Sequence, residues 1–305
     1  MAVLITGATG FIGRHLVKQV ADFIPVVRES ETDTFKDSIV VSTIDDKTDW
    51  DGVFTNVDSI IHLAGIAHAP DVSSVLYKSV NVDGTLNLAK QAAIAGVRRF
   101  VYVSSIGVNG TATDQIPFAS MTPEKPHNDY AQSKFDAELG LKQIAEETGL
   151  GVVIVRPTLV YGANAPGNFG MLIKIIEKLP MLPFGAADNK RDFIAVQNLC
   201  DLLVTCATHP NADGHTFLAS DGETVSTKEF TNAIAEGLGK KVIQLPIPTS
   251  LIRLAGRLIG KSTMIEQLFG NLEVDSSNAK DVLGWRPSLN MKQAMATLRS
   301  SGNNK

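Results

Sequence analysis

The sequence predicts an α/β fold: a doubly wound parallel sheet followed by a smaller C-terminal mixed α/β lobe. Three observations predict it. Short β-branched runs alternate with longer helical stretches through the first half of the chain. The first of these runs passes straight into the spaced-glycine loop Gly7-Ala8-Thr9-Gly10-Phe11-Ile12-Gly13. After Pro157 the alternation loosens, as expected where a second lobe takes over.

The elements follow in order. Residues 3–5, 25–27, 39–41, 59–63, 100–104 and 151–155 read as strands, because each is a short apolar run bounded by turn residues. Residues 12–20, 75–95 and 130–148 carry helical spacing between them, which makes right-handed crossovers and a parallel sheet the expected topology. A helix at 171–178, a strand at 192–196 and a helix at 197–208 come next, the last two expected to return to the sheet. Helices at 228–238 and 251–259 fall in the remaining lobe. The expected division is therefore 1–160, rejoined by 190–210, for one domain, and 161–189 with 211–305 for the other. Only the tail, 300–305, reads as disordered.

Composition narrows the classes. The chain has 305 residues, is 44% hydrophobic, and can bury a large core. Its net charge is −4 with no basic block, so nucleic acid is not an expected partner. Cys200 and Cys206 lie six residues apart in one predicted helix, on different faces, which predicts reduced buried thiols rather than a disulfide. No apolar run reaches the roughly 18–20 residues of a membrane helix, no metal site is read, and the expected location is the cytoplasm.

A strand, then Gly7, Gly10 and Gly13, then a helix is the context of a phosphate-binding loop for a dinucleotide. Gly7 permits a tight turn, Gly10 lets backbone approach a pyrophosphate, and Gly13 allows close helix–strand packing. An acidic residue is expected at the end of the second strand if the cofactor is NAD. The chain has Arg28 there, and Arg14 follows the third glycine. Two guanidinium groups suit the 2′-phosphate of NADP, so the expectation for this NAD(P) site leans to NADP(H). The alternative is a pair of solvated arginines, with Glu29 or Glu31 reaching the ribose.

Tyr130 and Lys134 fall one turn apart on one face of the helix at 130–148. An ammonium beside the phenol lowers its pKa and fits it for proton transfer at a carbinol or ketone. The strand at 100–104 ends in Ser104-Ser105, where a hydroxyl can steer the reacting oxygen.

These segments resemble the extended short-chain dehydrogenase/reductases, in particular the NAD-dependent epimerase/dehydratase family. The likeness rests on Thr6–Gly13, Ile61-His62-Leu63-Ala64-Gly65, Asn81-Val82-Asp83-Gly84-Thr85, Val103-Ser104-Ser105, Tyr130-Ala131-Gln132-Ser133-Lys134, Arg156-Pro157, Val160-Tyr161-Gly162 and Arg191-Asp192-Phe193-Ile194. It implies a Rossmann fold with Ser105, Tyr130 and Lys134 as the catalytic residues. It places Gly7, Thr9, Gly10, Phe11, Ile12, Gly13, Arg14, Arg28, Ile44, Leu63, Ala64, Gly65, Val103, Tyr130, Lys134 and Pro157 at the cofactor. Ser105, Asn168 and Arg191 fall at a nucleotide-sugar substrate, with Arg191 gripping the diphosphate. Asn81 would steady the helix that bears the active site, His62 reads as a packed strand-end residue, and Arg253 and Arg257 are candidates for a second phosphate contact. A homodimer is also implied, with 75–95 and 130–148 pairing across a two-fold axis; the apolar positions Leu86, Leu88, Ala89, Ala92, Ala137, Leu141 and Ile144 serve either that interface or the ordinary core.

Departures from the family pattern narrow the reaction. Ile106 and Gly107 stand where dehydratases carry Asp-Glu, so elimination of water is not expected. Neither cysteine falls where C3/C5 epimerases need one. Leu159 replaces the Asn that epimerases often place near the diphosphate. Chemistry at sugar C4 remains. One form is reduction of a UDP-4-keto-6-deoxy-hexose(amine) for surface-polysaccharide sugar biosynthesis, which the paired arginines favour. The other is a UDP-hexose 4-epimerase, which the general resemblance favours. Reduction of a flavonoid- or steroid-like ketone, or an NADP-sensing regulator without turnover, are the lesser alternatives.

Overall fold

The computed structural model describes residues 2–67, 72–258, 260 and 262–302. Its strands are β1 (Ala2–Thr6), β2 (Phe23–Arg28), β3 (Ile39–Val41), β4 (Val57–His62), β5 (Arg99–Val103), β6 (Gly151–Pro157), β7 (Leu159–Tyr161), β8 (Met181–Leu182), β9 (Phe193–Ala195), β10 (Thr216–Ala219) and β11 (Ile243–Gln244). The helices are α1 (Phe11–Leu16), α2 (Ser74–Tyr77), α3 (Thr85–Ile94), α4 (Asp129–Thr148), α5 (Gly167–Lys178), α6 (Val196–Thr208), α7 (Thr227–Gly237), α8 (Thr249–Leu258), α9 (Ser262–Phe269), α10 (Ser277–Leu283) and α11 (Met291–Gly302).

Seven strands form one parallel sheet in the order β10-β6-β5-β4-β1-β2-β3. The winding reverses at β1, so the crevice beyond the carboxyl ends of β1 and β4 is a topological switch point, where such sheets bind ligands. Successive strand residues serve opposite faces, because side chains alternate with period two. Leu4, Ile60, Phe100 and Val152 pack with Leu88, Ala92 and Leu141 under α3 and α4. Their neighbours Ile5, Ile61, Val101 and Val153 pack with Leu16, Leu199 and Leu202 under α1 and α6. Pro25 is tolerated inside β2 because it pairs only with Ile5, while the β3 ladder starts at Val26.

Several expectations are corrected. The strand at 192–196 does not return to the large sheet: β9 pairs with β7 in a separate two-stranded sheet. The seventh strand is β10, from the region expected to belong wholly to the second lobe. The helix at 75–95 contains a π-helical stretch, Lys78–Gly84, between α2 and α3. Residues 300–302 close helix α11 instead of forming a disordered tail, and 303–305 lie outside the described residues, as does residue 259. Of the two roles open to them, Leu88, Ala89, Ala92, Ala137, Leu141 and Ile144 all take the core of the single chain. Leu86 packs tightly on Gly140, where a Cβ would stand 2.6 Å from its Cδ1.

The second lobe has its own core around Tyr161, Phe169, Phe193, Phe230 and Phe269. Phe193 and Phe230 stack face to face, 3.7 Å between centroids, fixing β9 on α7. Both cysteines are free and buried. No helix among the described residues is long and apolar enough to cross a membrane.

Candidate active site

The glycine loop closes on itself: Gly10 N–H donates to Gly7 O at 3.0 Å. Gly7 has φ +71°, and a Cβ there would stand 2.8 Å from Ala64 N. A Cβ on Gly13 would meet Gly7 O at 2.2 Å, so only glycine lets α1 start this close to β1. Gly10 caps α1 without any side chain, which leaves the first-turn amides of Phe11 and Ile12 facing the crevice for an anion. This cradle fits a dinucleotide pyrophosphate.

The second wall, 63–67, is fixed by a buried polar relay. Ala64 N–H donates to Thr6 Oγ1 at 3.2 Å, and Thr6 Oγ1 lies 2.7 Å from His62 Nδ1. His62 Nε2 lies 2.9 Å from Thr85 Oγ1, which donates to Asn81 O. Since Thr85 gives its proton onward, it accepts from His62, and the imidazole carries its proton on Nε2 and accepts from Thr6 on Nδ1. Burial, with the Lys134 charge nearby, pushes His62 down to about 3. Below its unfolded value near 6.5 the unfolded chain takes up a proton that the folded chain excludes. Stability is therefore expected to fall as pH drops from about 6.5 toward 3, by up to about 1.4 kcal/mol per pH unit from this residue. Urea midpoints across that range, wild type against His62→Gln, check it: the variant loses that part of the slope.

Asn81, inside the π-helical stretch, binds the same wall from the other side. It accepts from Ile66 N–H at 2.7 Å and donates to Ile66 O and to Ser133 Oγ, each at 3.0 Å. It thereby ties the wall to α4, one residue before Lys134. A Cβ on Gly65 would stand 2.9 Å from Asn81 Oδ1 and 3.4 Å from Lys134 Nζ.

Helix α4 begins at Asn128, whose side chain accepts from Ala131 N–H at 2.8 Å, and ends at Gly149 with φ 78°. Tyr130 sits in its first turn, hydrogen-bonded to Ser105. Lys134 is buried, donates to Val103 O at 3.0 Å and lies 4.8 Å over the Tyr102 ring. Ser105 also accepts from Gly107 N–H and lines a cavity, whereas Ser104 Oγ is buried with no hydrogen-bond partner among the described residues. The hydroxyl beside Tyr130 is thus that of Ser105. The ionisation differs from the expectation. Burial pushes Tyr130 up to about 12 and Lys134 down to about 8. The protein's own ammonium does not lower the phenol, because it is turned to the Val103 carbonyl.

Below α4, Arg156 of β6 is fully buried and paired with the fully buried Glu138, Nε to Oε1 2.9 Å. It also reaches Glu124 at 2.9 Å and Asn109 at 3.1 Å. This network joins the sheet, α4 and the 105–128 loop.

A cavity of about 450 Å³ opens beside Ser105, lined also by Gly107, His127, Pro157, Asn168 and Arg191. Arg191 is buried and donates to Gly270 O at 2.9 Å, and burial pushes it down to about 10. A diphosphate at its guanidinium would repay that desolvation. Arg191→Met is expected to raise KM for a sugar nucleotide about ten- to a hundredfold with a much smaller change in kcat, measured by steady-state kinetics. Asn168 is exposed at the mouth and donates to Gln267. Arg253 and Arg257 do not line this cavity: Arg253 pairs with Glu266 at 3.1 Å, and Arg257 is exposed.

The two arginines read as an NADP clamp are both engaged. Arg14 Nε donates to Thr9 O at 2.7 Å. Arg28 holds Glu31 through two bonds, at 2.7 and 3.3 Å. Glu31, held down to about 2 by Arg28, also hydrogen-bonds Thr9 in the glycine loop. The Ile44 carbonyl oxygen would stand 2.5 Å from a Cβ on Gly84.

Sequence reasoning gave no role to His127. Its Cε1 lies 3.5 Å from where a Gly107 Cβ would stand, and Ser105 Oγ lies 3.3 Å from the same point. The imidazole thus borders the space that Gly107 leaves open. Its sequence context, an exposed residue just before a helix cap, carries no periodic signal.

A glycine cradle at a switch point, with a half-buried Tyr130, a buried Lys134 and a serine at the same crevice, defines a dinucleotide-dependent enzyme of the short-chain oxidoreductase type. Residues 3–219 match the NAD dependent epimerase/dehydratase family. The chain is 40% identical over 303 residues to a UDP-glucose 4-epimerase of Vibrio cholerae, covering 96% of this chain and 92% of the relative. Its fold matches the crystal structure of a Thermotoga maritima UDP-glucose 4-epimerase with UDP-glucose, at TM-score 0.78, 21% identity and 99% of both chains. It likewise matches a Bacillus cereus UDP-N-acetylglucosamine 4-epimerase, at TM-score 0.74, 19% identity and 100% of both chains. The chain belongs to the NAD dependent epimerase/dehydratase family, within the extended short-chain dehydrogenase/reductases.

Proposed function

We propose that the chain interconverts C4 epimers of a UDP-hexose and keeps its own NAD to do so. The observation that carries this reading is Ser105, hydrogen-bonded to Tyr130, on the wall of a cavity whose lining also holds the buried cation Arg191. The Vibrio cholerae relative, named for this reaction and matched along nearly its whole length, supports it. NAD bound in the glycine cradle would accept hydride from C4 and return it, and when oxidised would add a positive charge beside the phenol.

The chain's own residues do the rest. Tyr130 takes the C4 hydroxyl proton as hydride leaves, and gives it back as hydride returns to the other face. Lys134, held by Val103 O, does not offset the burial of the phenol, and the charge of an oxidised cofactor would supply what the phenolate needs. Ser105 hydrogen-bonds the reacting oxygen and keeps it within reach of Tyr130. Arg191 holds the diphosphate while the sugar turns. Ile106 and Gly107 carry no group that moves a proton, so the acid–base pair that eliminates water in dehydratases is not at those positions.

Glu31 supports NAD over NADP. A carboxylate beside Thr9 hydrogen-bonds the hydroxyls of an adenosine ribose and repels a 2′-phosphate. Glu31→Ser frees Arg28 and is expected to shift the NADP-to-NAD affinity ratio about tenfold or more toward NADP, read by titration of cofactor-free protein. The second reading, reduction of a UDP-4-keto-6-deoxy-hexosamine by NADPH, is favoured by Arg14 and Arg28 standing at the same end of the site. Purified protein assayed without added cofactor separates the two. The epimerase reading expects a UDP-hexose to be converted to its C4 epimer, and about one NAD per chain to be released on denaturation. A protein without nucleotide that prefers NADPH, and turns over only a 4-keto sugar, replaces it with the reductase.

A further inference from the structure

Residues 240–261 contain five cations, Lys240, Lys241, Arg253, Arg257 and Lys261, and no acidic residue, in a chain whose net charge is −4. Helix α8 lies inside this segment and is amphipathic in the reverse sense to a core helix. Its inner face meets α9 at Gly256, where a Cβ would stand 2.6 Å from Ile265 Cγ1. Its outer face sets Leu251, Leu254, Ala255 and Leu258 at i, i+3, i+4 and i+7, one stripe that faces solvent. The three leucines are 56%, 54% and 80% exposed. Arg257, also exposed, borders the stripe. Just upstream, Ile243 of β11 is 63% exposed beside its strand partner Met181, at 50%. Scattered single apolar residues need no explanation, whereas a helical stripe of leucines in an all-cationic segment does.

We propose that α8 and its basic flanks are a docking surface for an anionic lipid bilayer. The helix would lie in the headgroup plane, with Leu251, Leu254 and Leu258 in the acyl boundary and the cations at lipid phosphates. Charge complementarity selects this occupant. A second copy meeting through the same patch would set cations against cations across a two-fold axis; among the described cations of the segment, Arg253 alone is paired to a carboxylate, that of Glu266. Next to α8, α9 contributes Gln267 and Leu268 to the cavity beside Ser105. Docking would therefore hold the substrate site one helix away from the membrane surface.

The test is co-sedimentation of the full chain with phosphatidylglycerol-containing vesicles and with pure phosphatidylcholine vesicles, at low and high salt. The proposal expects at least about tenfold more binding to the anionic vesicles, most of it lost at high salt. The pair Leu254→Ser and Leu258→Ser is expected to weaken binding about tenfold, and Arg257→Gln about threefold, with turnover of a water-soluble sugar nucleotide unchanged. Equal binding to both vesicle types, no binding to either, or binding that ignores these substitutions overturns it. Self-association that the leucine variants abolish, without vesicle binding, assigns the stripe to a protein partner and overturns it as well.

Discussion

Tyr130→Phe is expected to cut turnover by about a thousandfold or more while leaving cofactor affinity within a few-fold of wild type. The phenol is the group placed at Ser105, and removing its oxygen takes away the proton acceptor without altering the cradle of Gly7, Gly10 and Gly13. The ring remains to pack near Tyr77, 6.3 Å away between centroids, so the fold is expected to persist. Rates measured at saturating substrate, alongside nucleotide content of the purified variant, check both halves. A variant that turns over at the wild-type rate removes Tyr130 from the chemistry.

The largest effect on stability is expected at Glu138→Leu. Glu138 and Arg156 are both fully buried, and neither charge is tolerated there alone. Taking the carboxylate away leaves Arg156 with Glu124, a partly exposed partner, and Asn109. The expected cost is about 3–5 kcal/mol, read as a fall in the urea midpoint. Because Glu138 lies one turn beyond Lys134, the same change loosens the helix that sets the active pair. Activity in the folded fraction should fall as well. An unchanged midpoint would show that Glu124 alone satisfies the guanidinium.

The parts legible in the sequence are those fixed by local spacing. Gly7 and Gly13 are each demanded by a close backbone approach, so the loop is readable without its partners. Tyr130 and Lys134 share one helix face because a helix brings i and i+4 to the same side. The misread parts depend on a distant or freely rotating partner. Residues 192–196 and 216–219 are both short apolar runs, and which one joins the sheet is decided by the neighbour each finds, β7 or β6. Arg28 is visible as a cation, but whether it waits for a phosphate or holds Glu31 is a matter of side-chain direction. The phenol of Tyr130 carries the same lesson: proximity to Lys134 is legible, and the turning of that ammonium to Val103 O is not. The leucines of α8 keep a regular period, yet they face outward, and periodicity alone does not say which side a helix buries.

The proposed hydride transfer at C4 is reversible and runs through a cofactor that stays bound. UDP-glucose carrying deuterium at C4, incubated with the purified protein in ordinary water, tests it most directly. The galacto product is expected to keep its deuterium at C4, because the label leaves and returns without meeting solvent. Epimerised product that has exchanged the label for solvent hydrogen would contradict it.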